Sequence, residues 1–262
     1  FQAATTLALG GVRPYPFVMR RPLALLLSLC ALVASAADPV APSRTTPPDL
    51  VIKEGVETRI ACDHNGGYSK YADVYHYRVI LPKGYHIDKT KEWSVLFVAS
   101  PGGNATLGNM ADWVKKHGYI AILLDESKNG PWDPSVGNFL AAHQDAMKRF
   151  RIGPGRKVCT GFSGGARASS IFVSIGDNFG GVILQGAGTG ILDDGLRGLR
   201  GVQIPAVVVT MGKKDSNRGE IKALREMLSD RLEVLEFEGG HQWAPKDVIE
   251  KALDHVDAKL PK

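Results

Sequence analysis

The constraint that most narrows what this chain can become is the alternation of short, continuously apolar runs with longer amphipathic stretches. Runs such as Val95-Leu96-Phe97-Val98 and Val207-Val208-Val209 have no polar face. Strands of that kind suit a parallel sheet covered on both sides, since a strand with one wet face would alternate instead. Eight segments read as strands: 58–62, 75–81, 94–99, 120–124, 157–161, 181–185, 206–211 and 232–237. Between them, residues 109–116 end in Lys115-Lys116-His117-Gly118, cations followed by a glycine as at a helix C-terminus. Residues 136–150 carry Val136, Phe139, Leu140, Met147 and Phe150 near one face, and Ile221, Leu224 and Leu228 repeat at helical spacing. Val248, Ala252, Val256 and Leu260 follow Pro245 at a helix start. Strands alternating with helices predict an α/β fold with a mostly parallel sheet.

The domain is expected to occupy residues 51–262. Ahead of it, residues 38–50 hold four prolines and little to bury, which reads as an extended lead-in. Residues 19–37 read as a secretory signal peptide: Met19-Arg20-Arg21, an apolar run from Leu23 to Val33, then Ala34-Ser35-Ala36. The run is too short for a stable membrane anchor, and residues 1–18 read as an upstream extension. Export to the periplasm or the medium is therefore expected. Without Arg13, Arg20 and Arg21 the formal charge falls from +5 to +2, and no cationic cluster interleaved with aromatics argues for a nucleic-acid partner. Cys62 and Cys159 lie in separate strand segments, where burial as small apolar residues is expected ahead of a disulfide.

The chemistry concentrates in Gly161-Phe162-Ser163-Gly164-Gly165, which follows a strand and opens into small residues. Gly-x-Ser-x-Gly in a strand–turn–helix setting is a nucleophile elbow: the turn is too sharp for side chains two positions either side of the serine. A hydroxyl needs a base to take its proton. Of seven histidines, His143 and His255 fall inside helices, His117 at a helix end and His76 in a strand, while His64 and His86 precede the nucleophile. His241 differs, because the strand at 232–237 delivers it into the loop Glu238-Gly239-Gly240-His241. The chain order serine, acid, histidine that accompanies such an elbow then directs attention to Asp215, after the strand at 206–211. Asn217 and Glu220 are expected to cap the next helix as a pair, leaving Asp215 free, with Asp193 and Asp194 in reserve. The oxyanion hole is expected from the N–H groups of Gly164 and Gly103, with Asn104 second to Gly103. Trp132, in a loop after the fourth strand, and Trp243, beside His241, are candidate substrate contacts. No group of side chains shows metal-ligand spacing and no nucleotide fingerprint is present, so no metal or cofactor is expected.

With these residues in view, Gly-Phe-Ser-Gly-Gly-Ala at Ser163, Asp215 after an apolar strand and Gly-Gly-His-Gln-Trp at His241 together resemble the α/β-hydrolase superfamily. Within it the pattern is most similar to secreted esterases related to polyhydroxybutyrate depolymerases and feruloyl esterases. The resemblance runs over roughly residues 75–260 and departs at Pro101, which stands where such enzymes often carry a histidine. It implies an eight-stranded, mostly parallel sheet with antiparallel first strands, no lid domain between 185 and 205, and a serine hydrolase acting on small or polymeric carboxylic esters. A peptidase of the same fold, or a binding domain that retains the fold without catalysis, are the competing readings.

Overall fold

The structure, a computed structural model, describes residues 50–262. The expected signal peptide, the upstream extension and all but the last residue of the Pro-rich lead-in lie outside the described residues.

Eight strands form one sheet in the order β1-β2-β4-β3-β5-β6-β7-β8. They are β1 (Thr58–Ala61), β2 (His76–Ile80), β3 (Trp93–Ala99), β4 (Ile120–Leu124), β5 (Ile152–Phe162), β6 (Phe179–Gln185), β7 (Ala206–Gly212) and β8 (Leu232–Phe237). β1 pairs antiparallel with β2 and β2 antiparallel with β4, while all other pairings are parallel. The continuous apolar runs lie where their composition requires, since every residue of β3, β4, β6 and β7 is buried. β1, at the edge, keeps an alternating pattern with only Ile60 buried.

Five α-helices cover the two faces. On one face lie α1 (Ala111–His117) and α5 (Lys246–Asp257), whose Val114, Ile249 and Leu253 pack with Leu96, Val98 and Val208. On the other lie α2 (Trp132–Arg149), α3 (Gly164–Ile175) and α4 (Glu220–Leu228). There Phe139 of α2 stacks on Phe172 of α3 with centroids 4.3 Å apart, between the sheet and solvent. Fully burying a large apolar side chain contributes roughly 1.5–3 kcal/mol, so these two layers fix the sheet that carries the loops. No described helix is long and apolar enough to cross a membrane.

The expected elements are present, with shifted ends. α2 starts at Trp132, four residues before the expected start, so Trp132 is the first helical residue and not a loop residue. Its first turn carries Asp133 and Pro134, which suit the helix start, where N–H groups lack partners anyway, but break the apolar periodicity. β5 begins five residues early, with Ile152 and Gly153 buried and only Pro154 to Arg156 turned outward before the expected start. α1 is preceded by a 3₁₀ turn at Gly108–Met110 and ends at Gly118, whose φ of +72° is the left-handed cap the Lys-Lys-His-Gly sequence predicts. Both Cys62 and Cys159 are buried free thiols, and burial pushes both well above the usual thiol range.

Beneath α2 buried Lys157 and His143 break the apolar layer and meet the exposed Asp177 at its edge. Lys157 on β5 donates to His143 Nε2 (3.1 Å) and to Asp177 (3.0 Å). Burial first, and then the neighbouring Lys157 cation, push the His143 pKa down to about 4, against the opposing pull of Asp177. An unfolded histidine titrates near 6.5, so between those values the unfolded chain binds a proton that the native state refuses. The stability tied to neutral His143 is therefore whole above about pH 6.5 and is lost as pH falls towards 4. Thermal unfolding compared at pH 7 and pH 4.5 is expected to show a smaller drop for His143→Gln, which accepts from Lys157 without titrating. An equal drop in both proteins would assign the acid sensitivity elsewhere.

Candidate active site

The site forms at the carboxyl edge of the sheet, where the loops after β5, β7 and β8 converge. β5 ends at Phe162 and α3 begins at Gly164, so Ser163 occupies the whole turn, with φ +52° and ψ −115°. That strained backbone is characteristic of a functional turn, and its N–H is anchored to Gln185 O at 2.8 Å. The flanking glycines are needed for close approach. A Cβ on Gly161 would meet the Gly165 backbone at 2.5 Å, and one on Gly165 would meet Ala99 O at 2.4 Å.

Three side chains widely separated in sequence form a continuous chain of hydrogen-bonding contacts. His241 Nε2 lies 2.9 Å from Ser163 Oγ, and His241 Nδ1 lies 3.0 and 3.1 Å from the two carboxylate oxygens of Asp215. The Asp215 side chain is fully buried, whereas the imidazole is 37% exposed, so the serine end of the chain opens to solvent. Asp215 Oδ1 also accepts the Asn217 N–H (2.8 Å), which fixes the carboxylate from below. Phe162 lies against the imidazole with ring centroids 4.7 Å apart and also against Trp243 at 5.2 Å. The geometry suits proton transfer from a hydroxyl to an imidazole whose second nitrogen is oriented by a carboxylate.

The expected capping pair at α4 does not form. No side chain caps this helix. Asn217 Nδ2 donates to Gly186 O (2.8 Å), and Glu220 pairs with Arg167 and accepts the Gly188 N–H. Sequence spacing allows the cap, but partners brought in by the β6 loop and by α3 compete for the same groups. Asp193 and Asp194 are exposed in the β6–β7 connection, where Asp194 accepts the Leu196 N–H in its own turn. Of the other histidines, His76 pairs with Glu126 and His117 stacks on Trp113.

The loop after β3 differs from expectation in its free donors. Gly103, at φ +73°, donates its N–H to Ser100 O (3.2 Å), and Asn104 donates to Asp125 O (2.9 Å). Pro101 has no N–H. The Gly102 N–H makes only a long contact with Ser100 Oγ, at 3.4 Å. Gly164, as the first residue of α3, carries one of the N–H groups that a helix start leaves without an intrahelical partner. Arg78 braces the loop by donating to Ala105 O (2.6 Å) and to Asp125 Oδ1 (2.7 Å), and Arg59 holds the other Asp125 oxygen at 2.8 Å. A residue not anticipated is Asn129. Its Oδ1 lies 1.6 Å from where a Cβ on Gly164 would be, so a side chain at 164 would displace it.

The two tryptophans flank this centre. Trp132 lines a cavity of about 130 Å³ with Asn129, Gly164 and Ala168, and Trp243 lines one of about 230 Å³ with Gln185 and Ala244. Among the described residues no cluster of three or more His, Cys, Asp or Glu could hold a metal ion.

No family model and no curated protein sequence matches the chain. Solved structures do. The fluorophosphonate-binding serine hydrolase FphF of Staphylococcus aureus superposes with TM-score 0.58 at 14% identity, over 78% of this chain and 99% of that one. A ferulic acid esterase of the anaerobic fungus Anaeromyces mucronatus gives TM-score 0.54 at 18% identity, over 83% of this chain and 94% of that one. The acylaminoacyl peptidase of Pyrococcus horikoshii gives 0.58 at 13% identity, over 80% of this chain but 43% of its own. The sheet order, the flanking helices and these likenesses establish the α/β-hydrolase fold.

Proposed function

We propose that the protein is a serine hydrolase that cleaves carboxylic esters through an acyl-enzyme on Ser163. The observation that carries this reading is the unbroken contact chain from Ser163 Oγ through His241 to buried Asp215, at 2.9 and 3.0 Å. In the first half-reaction Ser163 Oγ bonds to the ester carbonyl carbon and its proton passes to His241 Nε2. The tetrahedral intermediate then expels the alcohol, which takes that proton. Water repeats the sequence against the acyl-enzyme, releasing the acid and restoring the serine. Asp215 holds the imidazole and stabilises its cation. The developing oxyanion lies at the start of α3, where the Gly164 N–H and the helix dipole favour negative charge. Gly102 is the second donor in preference to Gly103, whose N–H already holds the loop turn. Trp132 and Trp243 form walls for the acyl and alcohol portions.

The similarity to serine hydrolases and esterases in the solved structures supports this class, and the presence of a peptidase among them sets its main competitor. The discriminating experiment is fluorophosphonate labelling of the purified protein beside a p-nitrophenyl ester chain-length series and an aminoacyl-amide substrate. Labelling at Ser163 with ester turnover far above amide turnover is the expected result. Preferred amide cleavage would make it a peptidase, and absent labelling would favour a binding domain. Export through the segment 19–37 belongs to the same proposal. N-terminal sequencing of exported protein is expected to begin near Ala36 or Ala37, and retention of Met19 in a membrane fraction would argue for an anchor.

A further inference from the structure

The step from β6 to β7 is exceptional in this sheet. From β3 onward every other connection between successive strands carries an α-helix, whereas residues 186–205 cross without one, tied by the Ile191↔Arg197 bridge. Right-handed crossovers between parallel strands would place a helix here on the same face as α3 and α4, between them. A cavity of about 600 Å³ lies between these helices and the crossing loop.

Its walls have two characters. Leu224 of α4 is buried, Met227 is half-buried, and Ile191 of the loop is 46% exposed, so an apolar strip faces the cavity. The charged groups are unevenly matched. Arg167 is held by Glu220 in a two-pronged ion pair at 3.0 and 2.5 Å, with the Gly188 N–H on the same carboxylate, so that pair is neutral. Arg197 and Arg200 are exposed, and neither guanidinium has an acceptor among the described residues. Against their two charges the cavity offers one further acid, the exposed Glu226.

We propose that this cavity is a binding site for an amphipathic anion, an apolar chain or ring ending in a carboxylate. A guanidinium presents a planar fork that matches a carboxylate with two parallel hydrogen bonds. A neutral lipid would leave both arginines unanswered. A small inorganic anion would leave Ile191 and Met227 uncovered. The site does not depend on the chemistry at Ser163, and it lies where a crossover helix would otherwise fill the space.

The test is calorimetric titration of the purified protein with octanoate, octanamide and inorganic phosphate at pH 7 and low salt. Octanoate is expected to bind at one site, octanamide and phosphate at least tenfold more weakly. Arg197→Ala with Arg200→Ala is expected to weaken octanoate at least tenfold, and Glu226→Ala to tighten it, each with an unchanged melting temperature. No octanoate binding, equal binding of octanamide or phosphate, or full affinity in the folded double variant would overturn the proposal. Fluorophosphonate labelling of Ser163 in the same samples reports separately on the hydrolase reading, so either can fail while the other stands.

Discussion

Ser163→Ala and His241→Ala are each expected to lower kcat for ester hydrolysis by about four to six orders of magnitude, with circular dichroism unchanged. In the proposed mechanism the serine supplies the attacking oxygen, and His241 Nε2, 2.9 Å from it, is placed to accept its proton. The two losses are not expected to multiply. Groups that act as one unit fail together, so the double variant should be about as slow as either single one. Neither change disturbs the core, because Ser163 is a turn residue and His241 a loop residue with a partly exposed ring. Additive losses in steady-state kinetics would mean that serine and histidine act in separate steps, and near-normal activity in either variant would remove the proposed mechanism.

The second large effect is at the acid. Asp215→Asn should lower kcat by about 10²- to 10⁴-fold, less than loss of the serine or the base. Both Asp215 oxygens face His241 Nδ1, and the carboxylate can only accept, so Nδ1 carries the proton and Nε2 is left free for the serine. An amide in its place can present its own N–H₂ to Nδ1 and favour the other tautomer, which turns Nε2 from acceptor to donor. Asp193→Asn and Asp194→Asn should keep full activity, as both are exposed in the β6–β7 connection. Measured kcat values in the reverse order would move the acid to that connection and leave the serine and histidine roles standing.

Much of this centre is legible in the linear sequence because its signals are local. The elbow needs glycines at fixed spacing around Ser163, since any Cβ there meets backbone at 2.4–2.5 Å. Parallel strands buried on both faces must be apolar throughout, so β3, β4, β6 and β7 identify themselves. His241 and Asp215 follow from chain order once strands and serine are placed. What fails is whatever depends on competition among distant groups. Spacing alone makes Asn217 and Glu220 a capping pair, yet Gly186 O and Arg167 claim them, from segments 31 and 53 residues away.

The sequence by itself therefore determined the sheet, the sharp serine turn at residue 163 and the chain order of the aspartate and histidine that meet it, because close packing and turn sterics act on neighbouring residues. Only the tertiary structure decided which N–H groups of the β3 loop remain available. Gly102, Gly103 and Asn104 differ little in the sequence, but the turn onto Ser100 and the carbonyl of Asp125, just past β4, engage the last two. It also brought Asn129 against Gly164 and opened the cavity beside Arg197 and Arg200. Hydrogen bonds and cavities are set by which segments meet in space, and a linear pattern of apolar and polar residues carries no record of those meetings.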